Sequence, residues 1–394
     1  MVSLQNWLAA PSVTNFPLGP VVEAVRRTGK HFIPDALLAD LAAARMGLPA
    51  DEERLRRFLN TVLDKHDKRF DNPTYLALHD LPLPSTAGRC SLDTSGAERQ
   101  RDRLITLLIT DLLRFEIAAC DGTTDLLPLL RPSRKTTAKR CTLAVRLLRD
   151  VLSRLGLEDS AAHRDPIEAA RELCAKIELE VTEEEHRMLA VTMLPVHTAH
   201  DEYLFIRVLQ CYETTFALVV AQLRAAILTA KSGNAARTAD SLHAAARTMD
   251  AAAPLFSLVA TMQVEAFMIF REYTDGASAI QSRSYKTIES LCRRPDAARL
   301  AGPGYDATPE VREQVTAGQP NLSDAIKQGA FSPSDVADLR AAMKVFETEV
   351  LEWRKTHYSI AMRMLGMKRG TGYTAGVPYL AEGKDVPVFK CPFA

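Results

Sequence analysis

The chain has 394 residues, 47% of them hydrophobic, with 49 basic and 49 acidic side chains and a formal net charge of zero. That supplies ample core for two or three compact units or one large helical domain. The balanced charge gives no global field to draw the chain to nucleic acid or an anionic membrane, so small neutral or zwitterionic ligands fit best.

Helical periodicity dominates and alternating, β-branched segments are scarce, so the expected class is all-α. Amphipathic stretches are predicted near 35–47, 51–65, 96–121 and 137–156, separated by turns such as Leu81-Pro82-Leu83-Pro84-Ser85. No catalytic motif stands out among them. The basic run Arg131, Arg134, Lys135, Lys139, Arg140 has no interleaved aromatics and is expected to be a solvated face. Seven cysteines, at positions 90, 120, 141, 174, 211, 292 and 391, are odd in number and form no CxxC pair, which argues for reduced thiols in a cytoplasm. The N-terminus has no secretory pattern, and no segment approaches eighteen consecutive apolar residues.

The segment His197-Thr198-Ala199-His200-Asp201-Glu202 lacks the one-face spacing of HExxH. It reads as a helix start, with Asp201 and Glu202 facing the positive end of the macrodipole, ahead of a non-haem metal site on His197 and His200. The helix that follows, Asp201 to Lys231, carries Phe205, Leu209, Tyr212, Phe216 and Val219 on one face, ordinarily core. Helices are then predicted from Ala235 to Met249 and from Pro254 to Tyr273. The latter bears Phe256, Val259, Gln263, Phe267, Phe270 and Arg271. Arg271 either edges an apolar cavity, where its fork can grip a carboxylate, or sits on the surface at a helix terminus.

Small residues follow from Thr274 to Ala279. Prolines and glycines between about 294 and 333 predict a long irregular connection, disordered or a lid. The last helix, Ser334 to Met367, has the stripe Val336, Leu339, Met343, Phe346, Val350, Trp353, His357, Ile360, Met364, so His357 faces inward. By itself an inward histidine is more often a hydrogen-bonded core residue than a metal ligand. Just beyond, Gly370 to Gly376 holds three glycines and two threonines, able to close over a ligand or simply to cap the helix.

Three blocks in this order resemble the tryptophan 2,3-dioxygenase family of haem-dependent aromatic oxygenases. They are Ala199-His200-Asp201-Glu202-Tyr203-Leu204-Phe205-Ile206, then Phe270-Arg271 followed by Gln281-Ser282, and last Trp353-Arg354 with His357 and Met367-Lys368-Arg369-Gly370-Thr371-Gly372. The likeness covers about 186–380 and implies two parts. Residues 1–165 form an additional N-terminal helical region of unknown role, and 166–394 form a helical haem domain like those of tryptophan and indoleamine dioxygenases.

It further implies His357 as proximal ligand of a haem b iron, its other ring nitrogen donating to an acceptor behind it, with Trp353, Ser278 and Gly372 also beside the cofactor. The lack of CxxCH agrees with a non-covalent haem. Arg271 would bind the α-carboxylate of an aromatic amino acid, Thr371 its ammonium or carboxylate, and Phe205 and Phe270 would wall its ring. Leu209 stands where the family has a distal histidine, Phe267 where it has a tyrosine, and Tyr373, Thr374 and Ala375 where its loop has glycine and serines.

The resemblance assigns no certain catalytic side chain. It implies an oxygenase that inserts dioxygen into tryptophan or a related indole to give an N-formylkynurenine-type product. One alternative is a haem monooxygenase hydroxylating a tyrosine or modified tryptophan in secondary metabolism, and another is a non-catalytic haem-binding sensor. A homo-oligomer stays open, and neither nucleic acid nor membrane is an expected partner.

Overall fold

The computed structural model describes residues 2–9, 12, 15–84, 92–157, 165–366, 368–372 and 374–389. Ser85, Cys90, Met367, Tyr373 and Cys391, named above, lie outside them. Among the described residues the structure is helical throughout with no strand, as expected, and its one β feature is an isolated parallel bridge between Leu129 and Ala199. Cysteines 120, 141, 174 and 292 are free thiols.

The chain divides into two compact units, each assembled from three separate stretches: 1–82, 106–210 and 261–277 in the first, 83–105, 211–260 and 278–394 in the second.

In the first unit, helices Val2–Ala9, Leu18–Thr28, Asp35–Met46 and Glu53–Val62 bury Leu4, Trp7, Val25, Leu41, Phe58 and Leu59 in one core that also takes Val191 and Leu194. Gly29 makes the join possible. It has φ +81°, and a Cβ there would lie 2.6 Å from the Val196 oxygen, so only glycine lets the Lys30 and His31 amides reach the carbonyls of Pro195 and Val196. Helices Arg134–Arg154 and Pro166–Glu178 pack together, the second capped by Asp165.

In the second unit, Pro333–Leu365 packs along Ala235–Asp250 and against Ala253–Val259. It starts with a capping box from Ser332 and Asp335 and has Pro333 at its first position, where the missing N–H costs nothing.

The Asp201–Lys231 helix falls where the sequence puts it. Among the described residues it is the one unbroken helix long and apolar enough to cross a membrane, but 83% of its most apolar window is buried in the protein, as in a core helix. Two expectations need correction. The single helix expected from Pro254 to Tyr273 is two, Ala253–Val259 and Val264–Arg271. Asp201 Oδ2 accepts the Gln263 N–H at 2.6 Å and Thr261 is held by Arg140, so the second helix restarts on a side chain from elsewhere in the chain. The irregular connection expected over 294–333 contains four short helices, Ala297–Leu300, Pro303–Asp306, Pro309–Thr316 and Leu322–Gln328. Pro303 and Pro309 occupy first-turn positions that favour a helix rather than break it.

Candidate functional site

In the first unit the Asp201 and Glu202 carboxylates turn into the core, beyond the macrodipole role expected of them. Glu202, fully buried, accepts the Val196 N–H at 2.7 Å and the Tyr75 hydroxyl at 3.1 Å on Oε1, and the His197 N–H at 2.9 Å on Oε2. Burial raises its carboxyl to about 8, against the pull of those donors. Asp201 accepts Arg140 Nη2 at 2.7 Å, and Arg140 Nη1 donates to Glu116 Oε1 at 2.6 Å. All three side chains are buried. The Glu116 carboxyl, pushed up by burial, is held below its usual range by Arg140 and His200.

Arg140 was expected on a solvated face. It lies instead on the buried stripe Thr137, Arg140, Cys141, Ala144, Leu147, Leu148, and only its two carboxylate partners make that placement tolerable. The stripe spacing was visible in the sequence; the partners were not.

His200 is buried, stacked on Phe115 at 4.7 Å and 27° with Nε2 3.4 Å from Glu116. His197 is half-buried, stacks on Tyr273 at 5.1 Å, and accepts the Ala199 N–H on Nδ1. The two imidazoles serve different neighbours. Among the described residues no three His, Cys, Asp or Glu side chains group as a metal site requires, so a non-haem centre on His197 and His200 lacks a ligand set.

From Asp201 to Gln210, Phe205 and Leu209 are half-buried and every other residue is buried. Phe205 lies 5.8 Å from Phe267 and 5.4 Å from Phe270, which meet each other edge to face at 5.4 Å and 88°. The three phenylalanines form one apolar wall, backed by Tyr75 at 6.5 Å from Phe205. Arg271 follows on the same helix, half-buried. Burial lowers its pKa and Asp275 opposes the shift, so it remains a cation.

In the second unit the Pro333–Leu365 stripe is buried at Leu339, Met343, Phe346, Val350 and Met364, and opens at Trp353, His357 and Ile360, which are half-buried. The His357 ring stacks on Trp353 at 5.2 Å and 28°. Burial pulls its pKa to about 4, so at neutral pH it is an uncharged imidazole with a lone pair to offer. Trp353 also meets Tyr285 at 5.0 Å, Phe216 at 5.3 Å and Phe256 at 5.7 Å, and its buried Nε1 has no partner among the described residues.

The glycine-rich loop folds on itself, Gly370 N–H donating to the Thr374 oxygen and Gly376, at φ +75°, to Thr374 Oγ1. A Cβ on Gly372 would stand 2.7 Å from Ser278 Cβ and 2.8 Å from Ile280 Cγ2, so glycine is what seats the loop on Ser278. Thr371 is half-buried beside it.

Comparison with known proteins adds an independent line. A family model described as tryptophan 2,3-dioxygenase matches residues 160–303. A tryptophan 2,3-dioxygenase of Ruegeria pomeroyi is 30% identical over 241 residues, 51% of this chain and 86% of that protein. The chain belongs to the tryptophan 2,3-dioxygenase family. Similar enzymes of the same name from Anaeromyxobacter dehalogenans, 29% identical over 238 residues, and Polaromonas naphthalenivorans, 26% over 234, match 51% and 50% of the chain and 88% and 82% of their own lengths. The stretch matched by the family model contains Phe205, Leu209, Phe267, Phe270, Arg271 and Ser278. It begins after Glu116 and Arg140 and ends before His357, Thr371 and Gly372. The family implies haem and dioxygen. In the second unit the residue that could hold a haem iron is His357, an uncharged, half-buried imidazole stacked on Trp353.

Proposed function

We propose that this chain is a haem-dependent oxygenase of tryptophan or a closely related aromatic amino acid. The observation that carries this reading is the uncharged, half-buried His357 at the opening of an otherwise buried stripe. A haem b on His357, with Trp353, Ser278 and Gly372 beside it, would supply the activation of dioxygen that no side chain can.

The rest falls to the chain's own residues. Arg271 receives the α-carboxylate with its two-point fork, and for Thr371 the resemblance implies contact with the ammonium or carboxylate. Phe205, Phe267 and Phe270 hold the aromatic ring and exclude water. Leu209 neither donates nor accepts a proton, so it leaves an indole N–H unanchored and cannot act as a general base. Insertion of both oxygen atoms into the indole gives an N-formylkynurenine-type product. Leu209 also supports a second reading, insertion of one oxygen into a tyrosine or modified tryptophan, because nothing at that position demands an indole N–H. The free thiols support a reducing, cytoplasmic setting. A haem sensor without turnover is less favoured, since it would leave Arg271 and the phenylalanine wall without a purpose.

The test is reconstitution with haem, followed by turnover under labelled dioxygen with tryptophan, tyrosine and their methylated and halogenated analogues, products being read by mass spectrometry. The wild type should show a Soret band that disappears in His357→Ala. In Arg271→Ala the band should persist while substrate affinity falls by about 1.5–3 kcal/mol, the usual worth of a charged hydrogen-bonded contact. An unchanged Soret band in His357→Ala, or no turnover with any of the panel, would overturn the reading.

A further inference from the structure

A histidine that ligates a metal needs its ring plane fixed, and the usual device is a hydrogen bond to the far nitrogen. Here the observed neighbours suggest another. His357 is stacked on Trp353 at 5.2 Å and 28°, and Tyr285 lies tilted against Trp353 at 5.0 Å and 33°, so three aromatic rings follow one another from the candidate ligand within the second unit. The two supporting rings are secured differently. Trp353 is walled edge-on by Phe216 at 5.3 Å and 81° and by Tyr212 at 5.9 Å and 79°, which blocks rotation of the indole. Tyr285, on the Arg283–Cys292 helix, receives a 2.6 Å hydrogen bond at its hydroxyl from Arg354 Nε.

Arg354 itself is tightly constrained. It gives 2.8 Å to Glu289 Oε1, 2.7 Å to the Val386 oxygen and 3.3 Å to that of Gly383. Glu289 is shared with Lys286 at 2.8 Å and Arg299 at 3.1 Å. Trp353 and His357 are one helical turn apart on one face while Arg354 points to the neighbouring helix, so a single turn carries both the stack and its anchor.

We propose that Trp353 and Tyr285 are positioning residues for His357, setting the plane of its imidazole by stacking, with the Arg354–Glu289 ion pair holding the last ring in place. The role rests on the oxygenase reading, because it presumes that His357 carries haem. An imidazole held by a stack can slide but cannot tilt or spin freely, so the bond from its nitrogen keeps one orientation.

Electron paramagnetic resonance of the low-spin ferric cyanide adduct reports that orientation through its g-values, and haem transfer to apomyoglobin reports the strength of the hold. Wild type and Trp353→Phe, which keeps a ring, should give a single narrow set of g-values and similar release rates. Trp353→Leu should bind haem yet show broadened g-values and release it at least about tenfold faster, the scale at which a supporting residue acts on a metal site. Tyr285→Phe, which keeps the ring and loses the Arg354 bond, should fall between, and Tyr285→Leu serves if Trp353→Leu does not fold. Failure of the wild type to take up haem would defeat the oxygenase reading and this role with it. Haem uptake with leucine variants indistinguishable from wild type in g-values and release rate would defeat this role alone.

Discussion

Arg140→Met removes the cation that meets both Glu116 and Asp201. The change keeps much of the side chain's volume while deleting the contacts at 2.6 Å to Glu116, 2.7 Å to Asp201 and 3.0 Å to Thr261 Oγ1. Two carboxylates buried to 0% side-chain exposure are left behind. Breaking a buried ion pair in this way costs about 3–5 kcal/mol, since the surviving charge stays desolvated without compensation. At about 2–4 °C per kcal/mol for a unit of comparable size, the melting temperature should fall by on the order of 10 °C, read by circular dichroism.

The pH dependence gives a second readout. In the wild type Glu116 titrates below its usual value, so its contribution is present above the unfolded pKa and lost as pH falls through the folded one. Without Arg140 burial dominates at Glu116 and its shift reverses, so that carboxylate destabilises at neutral pH and is relieved as acid protonates it. The gap between variant and wild type should therefore be large at pH 7.5 and shrink toward pH 5. Arg140→Lys should recover part of the loss, as one ammonium cannot reproduce the guanidinium fork. A methionine variant melting within about one degree of wild type at pH 7.5, against the expected drop, would refute the argument, as would a gap that widens in acid.

Glu202→Gln tests the other buried carboxyl. With a folded pKa of about 8 against an ordinary 4.5, Glu202 contributes stability that is full below 4.5 and is lost as pH rises through 8, so wild type should weaken over that window and the glutamine variant should show a shallower slope in urea melts. Parallel slopes would mean that the carboxyl ionises normally. Gly372→Ala places a methyl 2.7 Å from Ser278 Cβ, an overpacking worth about 1–3 kcal/mol that must push the loop outward. Haem titration followed at the Soret band should show weaker binding, and full affinity would show that the seating of this loop on Ser278 is irrelevant to the cofactor.

What the sequence disclosed depended on how local the cause was. The Asp201–Lys231 helix could be read to its ends because periodicity and terminal charges lie within the segment itself. Phe267 and Phe270 could be placed on one face from their three-residue spacing. The interruption at 260–263 could not, because the Gln263 amide is satisfied by Asp201, sixty-two residues away. The burial of Arg140 is hidden for the same reason: its neighbours in sequence are basic and exposed, while its neighbours in space are acids on two other helices. Tyr75 behind Phe205 and Tyr285 behind Trp353 carry no sequence signal, since a tyrosine becomes part of a site only through what the fold lays against it. The short helices within 294–333 did carry signals, such as Asp296 and Asn321 as caps and two prolines at first-turn positions, but the density of proline and glycine concealed them.

The three-stretch construction of the first unit has a consequence for the chain's biogenesis. Residues 1–82 leave the ribosome well before Thr261 and Gln263, which complete the contacts of Arg140 and Asp201 from the start of the third stretch. At about 5–20 residues per second the early helices wait roughly ten to forty seconds for residue 277. Until then Phe205 has neither Phe267 nor Phe270 to pack against, and a nascent chain with this apolar surface uncovered is a natural client for holdase chaperones. Poor yield on rapid overexpression, improved by slower translation, would be its laboratory signature.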